Sequence, residues 1–340
     1  MRAFFFHIGI AIAVVVCINS IFYNRYAPYN WGVHRPDEQE FAENAADYNL
    51  LFIGASRISR LVMPTVFDSV LSEHWDVSSY NLANNGQPLL EQHYNFEQYL
   101  QQATVKPKVA VISISPVFVS YGDRDTARSR YWLDTRRYFN ALHLIMLSWE
   151  REGSAKTTYK TTLHYIQKLL NMGVWRTNLQ VALYVGAQME RGYVPLPDEH
   201  KLTPHQQKNY KEFMEEGVYE EDMEYRKSVL ADDCSSANAK AFAKIIEMFE
   251  ELAHKHDVYP LFVTPPPRIQ YDQYCALKAI ADHKRVGFPS PQEFPDIYKK
   301  ENFFDRTHFK KHIAPIYSEY LAREVNRLLQ LADEQHLPAS

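Results

Sequence analysis

The chain has 340 residues, 46% of them hydrophobic, which is enough for a packed core and too much for disorder. A formal net charge of −4 excludes a nucleic-acid-binding role built on a basic surface. Aromatic residues make up 14%, with 23 tyrosines, a composition that serves either an aromatic-rich, sugar-binding cleft or an ordinary core.

Residues Ala3 to Tyr23 form an apolar run broken only by His7, Asn19 and Ser20, with no charge between Arg2 and Arg25. About 20 such residues span a bilayer as a helix. Residues 1–25 are therefore expected to form one N-terminal transmembrane helix that holds the rest of the chain outside the cytoplasm. Two rival readings stay open: a cleaved signal peptide, for which no good small-x-small site precedes Arg25, and a buried helix of a soluble protein. Residues 26–46, with Pro28 and Pro36, read as a linker.

From residue 47 the pattern changes. Tyr48–Gly54 reads as a buried strand, 57–73 as a helix, and Ser78–Ala83 as a second strand ending at Asn84-Asn85-Gly86. A helix over 89–103 and a strand over Val109–Ser115, stopped by Pro116, follow. This alternation predicts a parallel sheet with right-handed crossovers. The rhythm breaks over about 120–230, where Leu142–Trp149 and Thr158–Leu170 are helical and no strand is evident. That region reads as a helical insertion. Its charged stretch, Asp123–Arg130, reads as a solvated face or as a contact for an anionic substrate. The α/β pattern returns with an amphipathic helix over 237–256, a fourth strand over Val258–Thr264, a helix over 270–283, a loop over Asn302–His308 and a closing helix over 309–331. The expected architecture over 47–340 is α/β: a flavodoxin-like three-layer domain around a parallel sheet, with a helical insertion.

Cys17 lies in the apolar segment; Cys234 and Cys275 form either one disulfide in an exported domain or two buried thiols. No Cys or His cluster has metal-ligand spacing, so neither metal nor cofactor is expected.

Three features fall at the carboxyl ends of the predicted strands, where open α/β sheets bind ligands. After the first strand comes Gly54-Ala-Ser56. A serine there presents its hydroxyl and backbone N–H together at a helix start, which suits a nucleophile and a developing oxyanion. The plain alternative is a helix N-cap. After the second strand, Gly86 with Asn84 or Asn85 offers further oxyanion donors, or simply a turn built from its preferred residues. Near the end, Asp305-Arg-Thr-His308 places a base and its carboxylate on one tight turn, or a helix cap. Each feature alone is weak; their order along the chain is not.

In that order and placement the chain resembles the SGNH (GDSL-like) hydrolase superfamily over roughly 47–120 and 235–330. The resemblance implies an SGNH-type sheet domain with Ser56 as nucleophile, His308 as base, Asp305 as its partner and Gly86 as an oxyanion donor. Two departures stand out: the first block reads Gly-Ala-Ser-Arg rather than Gly-Asp-Ser, and the third strand ends Ser113-Ile-Ser-Pro116 without the usual asparagine. Asn84 or Asn85 is left to substitute. The N-terminal apolar segment and the Ser-Pro strand end look like the DltD branch, which assists D-alanylation of teichoic acids. The resemblance implies an esterase or O-acyltransferase acting on a cell-envelope polysaccharide or related glycan, at a membrane and beside a membrane-bound O-acyltransferase. The alternative it leaves is a non-catalytic scaffold for such an acyltransferase.

Overall fold

The computed structural model describes residues 2–26, 45–115, 132–148, 153–169, 191–196, 202–232, 234 and 239–334. Most of the expected linker and the whole of Asp123–Arg130 lie outside them. The chain divides into two units: Met1–Gln39 with Ser120–Ala187, and Glu40–Val119 with Gln188–Ser340.

The first unit holds α1 (Arg2–Tyr26), α5 (Thr135–Leu147) and α6 (Ser154–Leu169). In α1 the described side chains are those of residues 5–7 and 9–18. Among the described residues, no helix is long and apolar enough to cross a membrane. Phe5, Phe6, Ile10, Ile12, Val14, Val15 and Ile18 nevertheless all stand exposed on α1. Asp134 caps α5 by accepting from the Arg137 N–H at 2.8 Å, and α5 pairs with α6 through Tyr138 and Tyr165, stacked at 4.2 Å.

The second unit is α/β. Its four strands are β1 (Leu50–Ile53), β2 (Ser79–Asn81), β3 (Val109–Ser113) and β4 (Tyr259–Val263), all parallel, in the order β2-β1-β3-β4. Every residue of these strands is buried, which is why β1, β3 and β4 read as near-continuous apolar runs rather than alternating ones, while β2 buries Ser79 and Asn81. Beyond β4, the Val286 N–H donates to Phe262 O at 2.9 Å, so residues 285–286 add a rudimentary fifth parallel position. The chain turns one way from β1 to β2 and the other way to β3, and the crevice at that reversal is where such sheets bind ligands.

Both faces of the sheet are covered. Leu50, Phe52, Val109, Val111, Leu261 and Val263 join a core with α3 (Pro64–Leu71) and the long α11 (Ala314–Glu334). Phe52 meets Phe67 edge to face at 4.7 Å, worth about 0.5–1.5 kcal/mol beyond area burial. The alternate residues Leu51, Ala110, Ile112 and Phe262 are buried on the other face. There α9 (Ala239–Lys255) packs on β4 and on α4 (Leu89–Gln102), with Phe249 set between His93 and Phe96. Helices α7 (Pro204–Met214) and α8 (Val218–Leu230) also belong to this unit.

Local chemistry moved several boundaries. The single helix expected over 57–73 is two, α2 (Ser56–Leu61) and α3. Pro64 takes the first turn of α3, where no backbone donor is needed, and the Met63 N–H at the break donates to Ser318 Oγ at 2.9 Å. The loop expected over Asn302–His308 is mostly a hairpin, β5 (Phe303–Asp305) with β6 (His308–Phe309). A third element, α10 (Tyr271–Ala279), carries Cys275, which is bonded to Cys234. The two-thiol alternative is thereby set aside.

Candidate active site

Gly54 explains why Ser56 stands where it does. A Cβ at Gly54 would lie 2.7 Å from Ile58 Cγ1 and 2.9 Å from Ser113 Cβ. Only glycine lets α2 start this close to both β1 and β3. Ala55 takes the N-cap position with extended backbone, and Ser56 is the first helical residue. Its hydroxyl is therefore not a cap, against the plain alternative for a serine at a helix start.

The hairpin brings His308 to it. His308 Nε2 lies 2.9 Å from Ser56 Oγ, a pairing across 252 positions of sequence. On the other side of the ring, Nδ1 lies 3.0 and 3.1 Å from the two Asp305 carboxylate oxygens. Serine, histidine and carboxylate thus form one chain of hydrogen bonds. Asp305 is not a helix cap either. Its Oδ1 accepts from the Thr307 N–H and hydroxyl, both at 2.7 Å, and from the His308 N–H at 2.9 Å. These bonds close the tight turn between β5 and β6. Thr307 Oγ1 also lies 2.8 Å from His308 Nδ1, so threonine braces both members of the pair.

The hairpin rests on α7 and α8. Phe303 stacks on Phe213 at 5.3 Å, and the buried Arg226 guanidinium lies 5.3 Å from the Phe303 ring. Arg226 pairs with Asp222 and donates to Arg306 O at 3.3 Å, between Asp305 and Thr307.

Burial and neighbouring charge set the protonation of the pair. Burial alone would raise the Asp305 carboxyl, but hydrogen bonds and charge from His308 and hydrogen bonds from Thr307 outweigh it, holding the carboxyl at about 2. His308 is pushed below the ordinary imidazole value, first by burial and then by Arg60 and Arg57, with Asp305 opposing. A neutral imidazole at neutral pH, with its proton on Nδ1 toward the carboxylate, leaves Nε2 to accept from serine.

The asparagine and glycine turn is tied to the same place. The Asn84 N–H donates to Gly54 O at 3.0 Å, and Asn84 Oδ1 accepts from the Asn85 N–H at 2.8 Å. Asn85 Oδ1 takes donors from α2 instead: the Ser59 hydroxyl at 3.3 Å and Arg60 Nε–H at 3.4 Å. Gly86 is exposed, with φ of 68°, a left-handed turn position that favours glycine. Asn81 holds this segment by donating to Ile58 O and Val62 O, both at 3.0 Å.

Sequence reasoning passed over four residues here: Arg57, Arg60, Thr307 and Arg226. Arg57 is half-buried and donates to Pro265 O at 2.7 Å, to Arg268 O, and to Gln273 Oε1 at 3.0 Å. Burial, with neighbouring Arg268, brings it down to about 10. It ties the residue after Ser56 to the loop that follows β4. The available signal was two arginines within four positions of the serine, in Ser56-Arg-Ile-Ser-Arg60. Among the described residues, no cluster of His, Cys, Asp and Glu has the makings of a metal site. Comparison with known protein families, characterised proteins and solved structures finds no match to this chain.

Proposed function

We propose that the protein is a serine-dependent acyl esterase or O-acyltransferase of SGNH type, working through an acyl-enzyme on Ser56. The observation that carries this reading is the continuous chain Ser56 Oγ, His308 Nε2 and Nδ1, and Asp305, with contacts of 2.9 to 3.1 Å. No ordinary packing role needs a serine, a half-buried neutral histidine and an ionised carboxylate in line.

The steps follow from the geometry. Ser56 Oγ attacks an ester or thioester carbonyl while its proton passes to His308 Nε2. The oxyanion forms where the N–H of Ser56 and the Gly86 turn offer donors. On collapse, the bond to the leaving alcohol or thiol breaks and His308 returns the proton to it. Water or a sugar hydroxyl then attacks the acyl-serine, gives its proton to His308, and Ser56 Oγ is released as the acyl group leaves with the acceptor.

The acceptor we infer is a cell-envelope glycan, with a membrane O-acyltransferase as the natural neighbour. Two features support an exported, tethered enzyme. The Cys234–Cys275 disulfide belongs to oxidising compartments, and the residue 3–23 run is free of charge, with its described apolar side chains exposed on α1. A tether raises the local concentration of such a partner.

The test is labelling with a fluorophosphonate probe. Wild-type protein is expected to label, Ser56→Ala not to label, and a variant of the exposed Ser69 to label like wild type. Equal labelling of wild type and Ser56→Ala, or no labelling of any of them, refutes the acyl-enzyme and leaves a binding scaffold.

A further inference from the structure

Arg60 follows Ser56 by four positions on α2, so the two side chains share one helix face with Cβ atoms about 6 Å apart. Its guanidinium has five N–H donors. One of them, on Nε, reaches Asn85 Oδ1 at a long 3.4 Å. Asp305 lies within its electrostatic reach but does not pair with it, and among the described residues no carboxylate forms an ion pair with Arg60. Its terminal amino groups keep access to solvent beside the reacting pair, since Arg60 is half-buried.

This differs from the other arginines nearby. Arg57 spends its donors on carbonyls and Gln273, and Arg226 is committed to Asp222. Arg306, on the turn itself, is offset by Glu221 at 3.7 Å. Arg60 is therefore a cation held in a partly desolvated place and, among the described residues, paired with no carboxylate. Burial lowers its affinity for the proton, and only Asp305 opposes that. The surrounding charge has the same sign: Arg57 and Arg60 both act on His308, and Arg57 feels Arg268 and Arg226. Among the described residues, the carboxylates named here are each engaged: Asp305 with His308, Asp222 with Arg226 and Glu221 with Arg306. A site so charged attracts anions and disfavours cations.

Resting on the acyl-enzyme reading above, we propose that Arg60 determines specificity, forming a subsite for a carboxylate or phosphate that the substrate carries close to the carbonyl Ser56 attacks. A planar guanidinium with open terminal donors takes either anion in two parallel bonds. Bound there, the anion fixes the acyl group relative to Ser56 Oγ, so the gain is in orientation as well as affinity. The substrate class is then a glycan or acyl donor bearing acidic groups rather than a neutral one.

The experiment compares 4-nitrophenyl acetate with the mono-4-nitrophenyl ester of succinate, using full-length protein in detergent. Wild type is expected to prefer the anionic ester. Arg60→Gln is expected to lower the ratio of kcat/KM for anionic over neutral ester at least tenfold, and Arg60→Lys to restore part of it. A loss that is equal for the two esters marks a merely structural role and overturns the proposal, as does an unchanged ratio. Sodium acetate and inorganic phosphate, titrated against fluorophosphonate labelling, tell the two anions apart. Whichever one protects wild type at least tenfold better than Arg60→Gln names the group.

A binding readout separates this proposal from the catalytic one. If no variant hydrolyses either ester, phosphate or acetate should still raise the Tm of wild type and Arg60→Lys above that of Arg60→Gln. That result keeps the anion subsite while the acyl-enzyme falls. Equal shifts, or none in wild type, overturn the subsite.

Discussion

Replacing Asp305 with asparagine separates the shape of the turn from its charge. Asparagine keeps an Oδ1 to accept from the Thr307 N–H, the Thr307 hydroxyl and the His308 N–H, so the hairpin should persist. What changes is the Oδ2 position, 3.1 Å from His308 Nδ1, now an amide nitrogen that donates, while Oδ1, 3.0 Å away, already takes three donors. The imidazole must then hold its proton on Nε2, pointing at Ser56 Oγ, where it can no longer accept the serine proton. The expected loss in kcat/KM is on the order of 10³–10⁴, or roughly 4–5.5 kcal/mol of transition-state stabilisation. Stability carries a second signature. A carboxyl moved from 3.8 to about 2 is worth roughly 2 kcal/mol of folding free energy at neutral pH. The folded value is the lower one, so this contribution is complete above the unfolded value and is lost as pH falls through the folded one. Asp305→Asn should therefore be about 2 kcal/mol less stable at pH 7, with the deficit narrowing by roughly half at pH 3. Ester hydrolysis measures the first effect and urea denaturation at the two pH values the second. A rate within tenfold of wild type, with a deficit that does not change with pH, would refute this account of the pair.

Other consequences are as direct. His308 is depressed by burial and by Arg60 and Arg57, so the acid limb of kcat/KM should fall below pH 6.5. Removing one of those positive charges in Arg60→Gln should move the limb upward, and a downward move contradicts the electrostatic assignment. Gly54→Ala should cost about 1–3 kcal/mol in urea denaturation, because the new methyl meets Ile58 and Ser113 at 2.7 and 2.9 Å. It should also slow labelling of Ser56, since relief requires α2 to shift. Breaking Cys234–Cys275, which closes a separation of 41 residues, should cost about 4 kcal/mol by chain entropy. Non-reducing against reducing thermal melts would detect it, and equal melting temperatures would deny the bond a stabilising role.

The sequence by itself determined the parallel sheet and the chemistry-bearing side chains. Buried strands are written locally, as apolar runs such as Leu50–Ile53 and Tyr259–Val263 ended by Gly54 or Thr264, and their alternation with helices implies the crossovers. Ser56, Asp305 and His308 were legible because each sits in a short motif at a strand end. What lies between them was not legible. The Asn302–His308 segment reads as loop because β5 and β6 are only three and two residues long; what makes them strands is support from Phe213 and Arg226, 90 and 77 residues before Phe303. The break at Met63 depends on Ser318, and the pairing of Cys234 with Cys275 depends on where α10 lies. Arg57 and Arg60 look alike in sequence, three positions apart on one short helix. Only the tertiary structure separates them, because the loop after β4 offers Arg57 its carbonyls and leaves Arg60 facing solvent beside His308 with no anion of its own. A side chain's role follows from which partners the fold brings to its donors, and those partners are distant in sequence.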